Sequence, residues 1–183
     1  MATFAIPTRE DVTPTNQAIF DQLNSQLGFV PNLYATYAHS DNALPTYLAL
    51  QGAKTSLKAK EKEVINLAVS QANDCAYCLA AHTAIGKMNG FTDEQIVELR
   101  QGFASFDTKL DALARFAREA TINRGKPNQE VVDNLLAAGY TRENLIDAIV
   151  LIGDKTISNY LHGITQVAID FPAAVELEGA TAA

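Results

Sequence analysis

Apolar residues recur at three- and four-residue spacing through nearly the whole chain, and no stretch keeps up a two-residue alternation rich in Val, Ile and Thr. Successive side chains of a strand point to opposite faces, whereas residues i, i+3, i+4 and i+7 of an α-helix share one, so this spacing predicts an all-α fold. With 183 residues, 48% of them apolar and 19% charged, the chain lies far from the composition of disordered segments. A single domain over 1–183 is expected, burying roughly 70% of the surface its unfolded chain exposes without a metal or disulfide staple. No linker, low-complexity segment or internal repeat divides it.

A first helix is expected from about Pro14 through Leu27, with Ile19, Phe20, Leu23 and Leu27 on one stripe and Gly28 as the stop. The segment Val30-Pro31-Asn32-Leu33 restarts a short helix through Tyr37, and another follows Pro45. Proline in a first helical turn costs nothing, because its missing N–H would be unpaired there anyway. A central pair comes next, forming a helical hairpin: a helix over about Leu57 to Ala72, a break at Asn73-Asp74, and a helix from Cys75 to Met88 ended by Asn89-Gly90. Thr92 and Gln95 read as a capping box. A longer helix spans about Thr108 to Asn123, with Leu110, Leu113, Ala114, Phe116 and Ala117 inward. Asn128 caps a helix to Ala138, Gly139 ends it, and Thr141 opens a last helix toward Ala168. From Asp170 to Ala183 a loosely held tail is expected.

The formal net charge of −7 is spread along the chain, and the densest basic feature is the alternation Lys58, Lys60, Lys62. Nothing there attracts a polyanion, so nucleic acid is not expected as a partner. The segment Met1 to Glu10 has no apolar run of signal-peptide length, and no stretch approaches the roughly 20 apolar residues that span a bilayer. A cytoplasmic location without membrane attachment is expected. Two cysteines lie three apart, too few and too close for a secreted disulfide framework. In a reducing compartment such a pair points to redox or metal chemistry.

That pair begins Cys75-Ala76-Tyr77-Cys78-Leu79-Ala80-Ala81-His82, a run free of Gly and Pro and rich in good helix formers. At about 100° per residue, Cys78 falls near 300° and His82 near 340° from Cys75, so both sulfurs and the imidazole share a face. Cys75 at the helix start meets unpaired N–H groups and the positive dipole end, which favour a thiolate there. Reduction of a peroxide by thiols needs an attacking thiolate, a proton for the departing oxygen and a second thiol to resolve the sulfenic acid. An imidazole with a pKa near ~6.5 can carry that proton, and an i, i+3 cysteine pair in a helix, with Cα atoms about 5–6 Å apart, can close a disulfide. Glu63, on the preceding helix, can orient the imidazole. The helical wheel does not by itself prefer it, since Glu61 falls nearer the middle of the apolar arc made by Val64, Leu67 and Ala68.

From Glu63 to His82 the chain resembles the core signature of the alkylhydroperoxidase AhpD-like family, a Glu followed after 11 residues by Cys-x-x-Cys-x-x-x-His. The segment Leu27-Gly28-Phe29-Val30-Pro31-Asn32-Leu33 resembles the entry of the peroxidase-related branch. Asn159-Tyr160-Leu161-His162 is similar to the last helix of the wider carboxymuconolactone decarboxylase superfamily. The resemblance implies an all-helical subunit that forms homo-oligomers, commonly dimers, trimers or hexamers. It also implies reduction of a hydroperoxide, with Cys78 as the attacking thiol, Cys75 as its resolving partner, and Glu63 and His82 as the proton relay. A separate electron donor, in relatives a lipoylated protein, would then reduce the disulfide. Some members place a relay histidine between the cysteines, where this chain has Tyr77.

Other readings stay open. Single cysteines are most often small buried hydrophobes, and Cys75, Cys78, His82 and Glu63 would also be legitimate zinc ligands, although no motif implies a metal, haem or flavin. Lactone decarboxylation on the same scaffold needs no dithiol, and general disulfide exchange needs no peroxide. His39 and His162 read as surface or satisfied interior residues. Phe103, Phe106 and Phe116 read as core, and the run Lys58, Lys60, Glu61, Lys62, Glu63 would ordinarily be a solvated helix face.

Overall fold

The computed structural model describes residues 4–175 and 177. Among them are nine α-helices and no strand: α1 (Pro14–Leu27), α2 (Asn32–Tyr37), α3 (Ala43–Gln51), α4 (Ala59–Ala72), α5 (Ala76–Met88), α6 (Asp93–Gln101), α7 (Thr108–Ile122), α8 (Gln129–Ala137) and α9 (Arg142–Thr165). The helical period in the sequence therefore holds throughout. A short 3-10 turn at Arg9–Asp11, which has no periodicity to announce it, precedes α1.

The helix ends follow from local chemistry. Gly28 closes α1 at φ 83°, its N–H donating to Asn24 O at 2.9 Å, a left-handed cap that a side chain would strain. Thr92 opens α6 reciprocally: Gln95 N–H donates to Thr92 Oγ1 at 3.3 Å, and Thr92 N–H donates to Gln95 Oε1 at 3.1 Å. Thr141 and Asn144 repeat the device at α9. Helix α3 starts ahead of Pro45, which sits in its first turn. Helix α4 starts at Ala59 rather than Leu57, because Glu61 Oε2 accepts from Lys58 N–H at 2.8 Å and sets the cap there. Helix α9 stops at Thr165, short of Ala168, where Gln166 turns left-handed at φ 51° with no Gly or Pro to mark it.

Helix α4 is the hub, packed against α5, α6, α7 and α9. Val64, Ile65, Leu67, Ala68 and Val69 are wholly buried, and each of the larger four contributes about 1.5–3 kcal/mol relative to exposure. Because helices surround α4, the mixed charge run at its start is no solvated face. Lys58 and Lys60 are exposed, but Glu61 and Glu63 are buried. One apolar core surrounds α4 and takes side chains from α6 to α9, including Leu113, Phe116 and Leu135. A second joins α1, α2 and α3 to Cys75, Tyr77, Cys78 and Val167. The thiols thus lie where the amino-terminal helices close over α5.

The segment after α9 is fastened where a loose tail was expected to begin. Asp170 Oδ2 accepts from Asn32 N–H at 2.7 Å, and its Oδ1 accepts from Tyr77 Oη at 2.6 Å. Phe171 lies edge-on to Phe29 and to Tyr77, with ring centroids 5.7 Å apart in each pair. Residues 176 and 178–183 lie outside the described residues. Among the described residues no helix is long and apolar enough to cross a membrane.

Candidate active site

The elbow between α4 and α5 builds the dithiol. Asp74 takes φ 51°, a left-handed conformation that Asp and Asn tolerate better than most residues, and reverses the chain. Cys75 N–H then donates to Ser70 O at 2.9 Å. Cys75 itself is extended, at φ −94° and ψ 92°, and is the cap of α5 rather than its first helical residue. Its Sγ accepts from Cys78 N–H at 3.3 Å, the position an N-cap oxygen usually fills. The pair therefore does not sit in continuous helix as the wheel assumed. Cys75 crosses over the end of α5 and Cys78 stands in its first turn, so the sulfurs meet through a capping contact.

This geometry works against the thiolate that the helix start alone would favour at Cys75 and favours one at Cys78, the sulfur that the family resemblance implies as the attacking thiol. Cys75 is held above the ordinary thiol range, first because its thiol donates to Cys78 and then because it is buried. Cys78 is drawn below that range, first by accepting from Cys75, against the opposing effect of burial, and further by the Lys155 charge and by hydrogen bonds from Asn159 and Ser158. A helix start offers one set of N–H donors and a buried pair readily carries one negative charge. The sulfur that receives the larger number of donors takes it. Cys78 Sγ lies 4.0 Å from Ser158 Oγ, whose hydroxyl donates to Lys155 O at 2.9 Å in the neutral pair. The same hydroxyl can rotate to the sulfur once it ionises. Both thiols are secluded, Cys75 at 1% and Cys78 at 3% exposure.

His82, one helical turn beyond Cys78, meets Glu63 across the α4–α5 hairpin, with Nδ1 2.8 Å from Oε2. The other oxygen, Oε1, accepts from Asn66 Nδ2 at 2.9 Å. Burial alone would raise the Glu63 carboxyl, but His82, Asn66 and Lys155 together hold it below its usual range. Burial and the Lys155 charge lower the His82 imidazole, outweighing the pull of Glu63 and Asp154. The consistent state is an ionised carboxylate and a neutral imidazole. Nδ1–H then donates to Glu63, which leaves Nε2 free to take a proton. The ambiguity between Glu61 and Glu63 is thereby settled at the level of geometry: Glu61 caps α4 and lies 3.6 Å from Lys109 Nζ, far from this pair in role.

Helix α9 adds a polar inward face of which the sequence reading named only Asn159 and His162. Asp154, Lys155, Ser158, Asn159 and His162 are all buried. Asn159 Nδ2 donates to Ser70 Oγ at 3.4 Å, and Asn159 Oδ1 accepts from Asn73 at 2.9 Å, which ties α9 to the elbow. Tyr34 and Tyr37 from α2 and Tyr47 from α3 close the other side, with Tyr37 and Tyr47 stacked at 4.3 Å. The one available signal was the run of polar residues on the face of α9 that its period turns inward, Asp154, Ser158 and Asn159 against Ala148 and Leu151. His162 Nε2 donates to Val167 O at 3.2 Å and its ring lies obliquely against Tyr77, a satisfied interior residue. His39 is at the surface, 2.8 Å from Ala5 O. Tyr77 Oη accepts from Leu33 N–H at 3.2 Å and donates to Asp170, so it braces the second core rather than facing the sulfurs. Phe116 is core, whereas Phe106 is partly exposed. Among the described residues no three His, Cys, Asp or Glu side chains are placed to share a metal ion.

The carboxymuconolactone decarboxylase family matches residues 39–120. Among solved structures, the chain resembles an uncharacterized peroxidase-related protein of Ralstonia eutropha JMP134 described as an alkylhydroperoxidase AhpD core. The TM-score is 0.82 at 21% identity, over 91% of each chain. A peroxidase-related protein of Silicibacter sp. TM1040 gives 0.79 at 22% identity, over 91% of this chain and 90% of that one. A cysteine-to-alanine variant of the debrominase Bmp8, in complex with 2,3,4-tribromopyrrole, gives 0.76 at 19% identity over 93% of each chain. No curated protein matches the chain. The segment 39–120 that matches the carboxymuconolactone decarboxylase family carries Glu63, Cys75, Cys78 and His82, and the chain has the fold of the AhpD-like, peroxidase-related structures.

Proposed function

We propose that this chain is a thiol-dependent oxidoreductase that reduces a hydroperoxide through a Cys75/Cys78 dithiol cycle. The observation that carries the reading is the geometry of the dithiol, with Cys75 Sγ accepting from Cys78 N–H at 3.3 Å and the Glu63–His82 pair closed at 2.8 Å one helical turn beyond, surroundings that favour Cys78 as the thiolate. His82 Nε2 takes the Cys78 proton, and Glu63 holds the resulting imidazolium. The Cys78 thiolate attacks the terminal oxygen of the hydroperoxide, the O–O bond breaks, and the leaving alkoxide takes the proton back from His82 as the alcohol. Cys78 is then a sulfenic acid. The Cys75 thiol displaces its hydroxyl, water leaves, and the disulfide forms. A dithiol donor supplies the two electrons that restore the pair.

The assembly proposed with it is a homo-oligomer. Opposite the buried face of α9, Ile146, Ile149, Val150, Ile157, Tyr160 and Ile164 form an exposed stripe over its length, reaching 76% exposure at Ile164. A contiguous apolar face of this kind ordinarily marks an interface, and a second subunit would bury it.

The test is a free-thiol count on metal-free, reduced protein before and after one equivalent of an organic hydroperoxide. Loss of two thiols in the wild type, arrest at a sulfenic acid in Cys75→Ser and inertness of Cys78→Ser are expected. Survival of both wild-type thiols would refute the peroxidase reading and leave lactone turnover, disulfide exchange or metal binding as the activity to assay. One similar structure is named a debrominase and holds 2,3,4-tribromopyrrole, so tribromopyrrole belongs beside the hydroperoxide in this experiment.

A further inference from the structure

Lys155 stands where the inward face of α9 turns toward the thiols, and it is only 3% exposed. Its neighbours on that face, Ser158 and Asn159, are the residues that reach the sulfurs. A buried ammonium normally has a carboxylate against it, yet no carboxylate oxygen of the described residues lies within 4.0 Å of Lys155 Nζ. Glu63 is taken by His82 and Asn66. Asp154, adjacent in sequence, diverges by about 100° around the helix, and its buried Oδ1 has no hydrogen-bond partner. Ser158 ties Lys155 to the thiols, its Oγ donating to Lys155 O at 2.9 Å while lying 4.0 Å from Cys78 Sγ, and the Lys155 charge acts on Glu63, Cys78 and His82 alike. The titratable groups around Cys78 are Glu63 from α4, Cys75 and His82 at α5, Asp154 and Lys155 from α9, Tyr34 and Tyr37 from α2, and Tyr47 from α3. Lys155 is the single fixed cation in that set.

We propose that Lys155 is the counter-ion of the Cys78 thiolate and the residue that fixes which of the two sulfurs attacks. The assignment rests on the reading of Cys78 as the attacking thiol. It explains why a helix that buries six polar or charged residues between Asp154 and Thr165 accepts a lysine among them: the ammonium is paired by the thiolate that the reaction consumes. The same charge keeps His82 neutral, so one residue prepares both the nucleophile and the base that deprotonates it. When Cys78 is oxidised the ammonium loses its partner, which favours return to the dithiol. Lys155 lies outside the family-matched segment, so this function depends on α9 docking against the α4–α5 hairpin.

The experiment follows ionisation directly. Reduced wild-type, Lys155→Met, Lys155→Gln and Lys155→Arg proteins are alkylated with iodoacetamide from pH 5.5 to 9.5, and labelling at Cys78 is quantified by peptide mass spectrometry. Thermal melts are run alongside. An opposite charge within a few ångströms lowers an acid's pKa by about one unit or more, so Lys155→Met should alkylate Cys78 roughly tenfold more slowly near neutral pH, with its profile displaced to higher pH. Lys155→Arg keeps the charge and should stay within about threefold of wild type. If Lys155→Met does not fold, Lys155→Gln against Lys155→Arg carries the same contrast. A profile that moves less than about twofold when the charge is removed would overturn the assignment. A hydroperoxide arm separates this proposal from the one beneath it. Thiols that survive peroxide in a protein whose profile does shift would sink the peroxidase reading and uphold the counter-ion. Thiols consumed by peroxide with an unmoved profile would sink the counter-ion alone.

Discussion

Tyr77 occupies the position where some relatives carry a relay histidine, and the structure gives it a different task that Tyr77→Phe isolates. Its Oη accepts from the buried Leu33 N–H at 3.2 Å and donates to Asp170 Oδ1 at 2.6 Å. The substitution keeps the ring, and so keeps the packing on Phe171 and His162. It removes a hydrogen bond to a charged group, about 1.5–3 kcal/mol, and leaves a buried backbone N–H unsatisfied, about 1–3 kcal/mol. Asp170 retains Asn32 N–H as a donor, so the lower part of the combined range applies and about 3 kcal/mol is expected. For a domain of this size that is roughly 6–12 °C in Tm. Urea unfolding at constant slope gives the magnitude, and a double-mutant cycle with Asp170→Asn assigns the share that passes through the carboxylate, since the two losses should fall well short of adding. Thiol consumption by hydroperoxide, measured well below the melting range, should stay within about threefold of wild type. A stability change under about 0.5 kcal/mol, typical of an unremarkable surface site, would refute the bracing role. A hundredfold loss of thiol reactivity at wild-type stability would instead place Tyr77 in the relay.

Three further outcomes are expected. Glu63→Gln keeps the shape of the hydrogen bond to His82 but removes the charge that holds the imidazolium, so peroxide-driven thiol loss should slow by about 10²-fold in stopped-flow assays, with both thiols still alkylatable at high pH. The stability of the reduced protein should rise with pH from about 7, the value to which Cys78 is lowered, toward the unfolded thiol value of about 8.5. In that window the unfolded chain binds the extra proton. Above it the order reverses, because Cys75 stays protonated only when folded, and stability should fall again. Urea midpoints against pH should show this maximum in the wild type, and a curve unchanged by Cys78→Ser would contradict it. Ile157→Glu and Ile164→Glu on the outer face of α9 should yield a smaller species by light scattering while leaving thiol alkylation unchanged. An unaltered mass would exclude that face as the interface.

Much of the fold was legible because helix formation is dictated locally. The 3.6-residue period, Gly28, the capping pairs at Thr92 and Thr141 and the break at Asn73-Asp74 each act within a few residues of sequence, and the helices begin and end close to them. Misplaced boundaries occur where the deciding group acts without a marked sequence signal, as at Lys58, where a carboxylate three residues on caps α4, and at Gln166, which turns left-handed without glycine. The candidate residues Cys75, Cys78, His82 and Glu63 were visible because the hairpin brings together positions only 19 residues apart.

Residue types and their spacing along the chain determined that it would be helical, that it would carry two thiols beside an imidazole, and that a carboxylate lay within reach. The tertiary structure decided which side chains surround each sulfur, that Glu63 rather than Glu61 touches the histidine, and that Tyr77 braces the fold. It also brought a buried lysine from α9 to a pair of cysteines nearly 80 residues earlier. Those outcomes depend on electrostatic fields and hydrogen bonds between elements distant in sequence. Such fields are set by distance through the folded interior, and no local pattern encodes that distance.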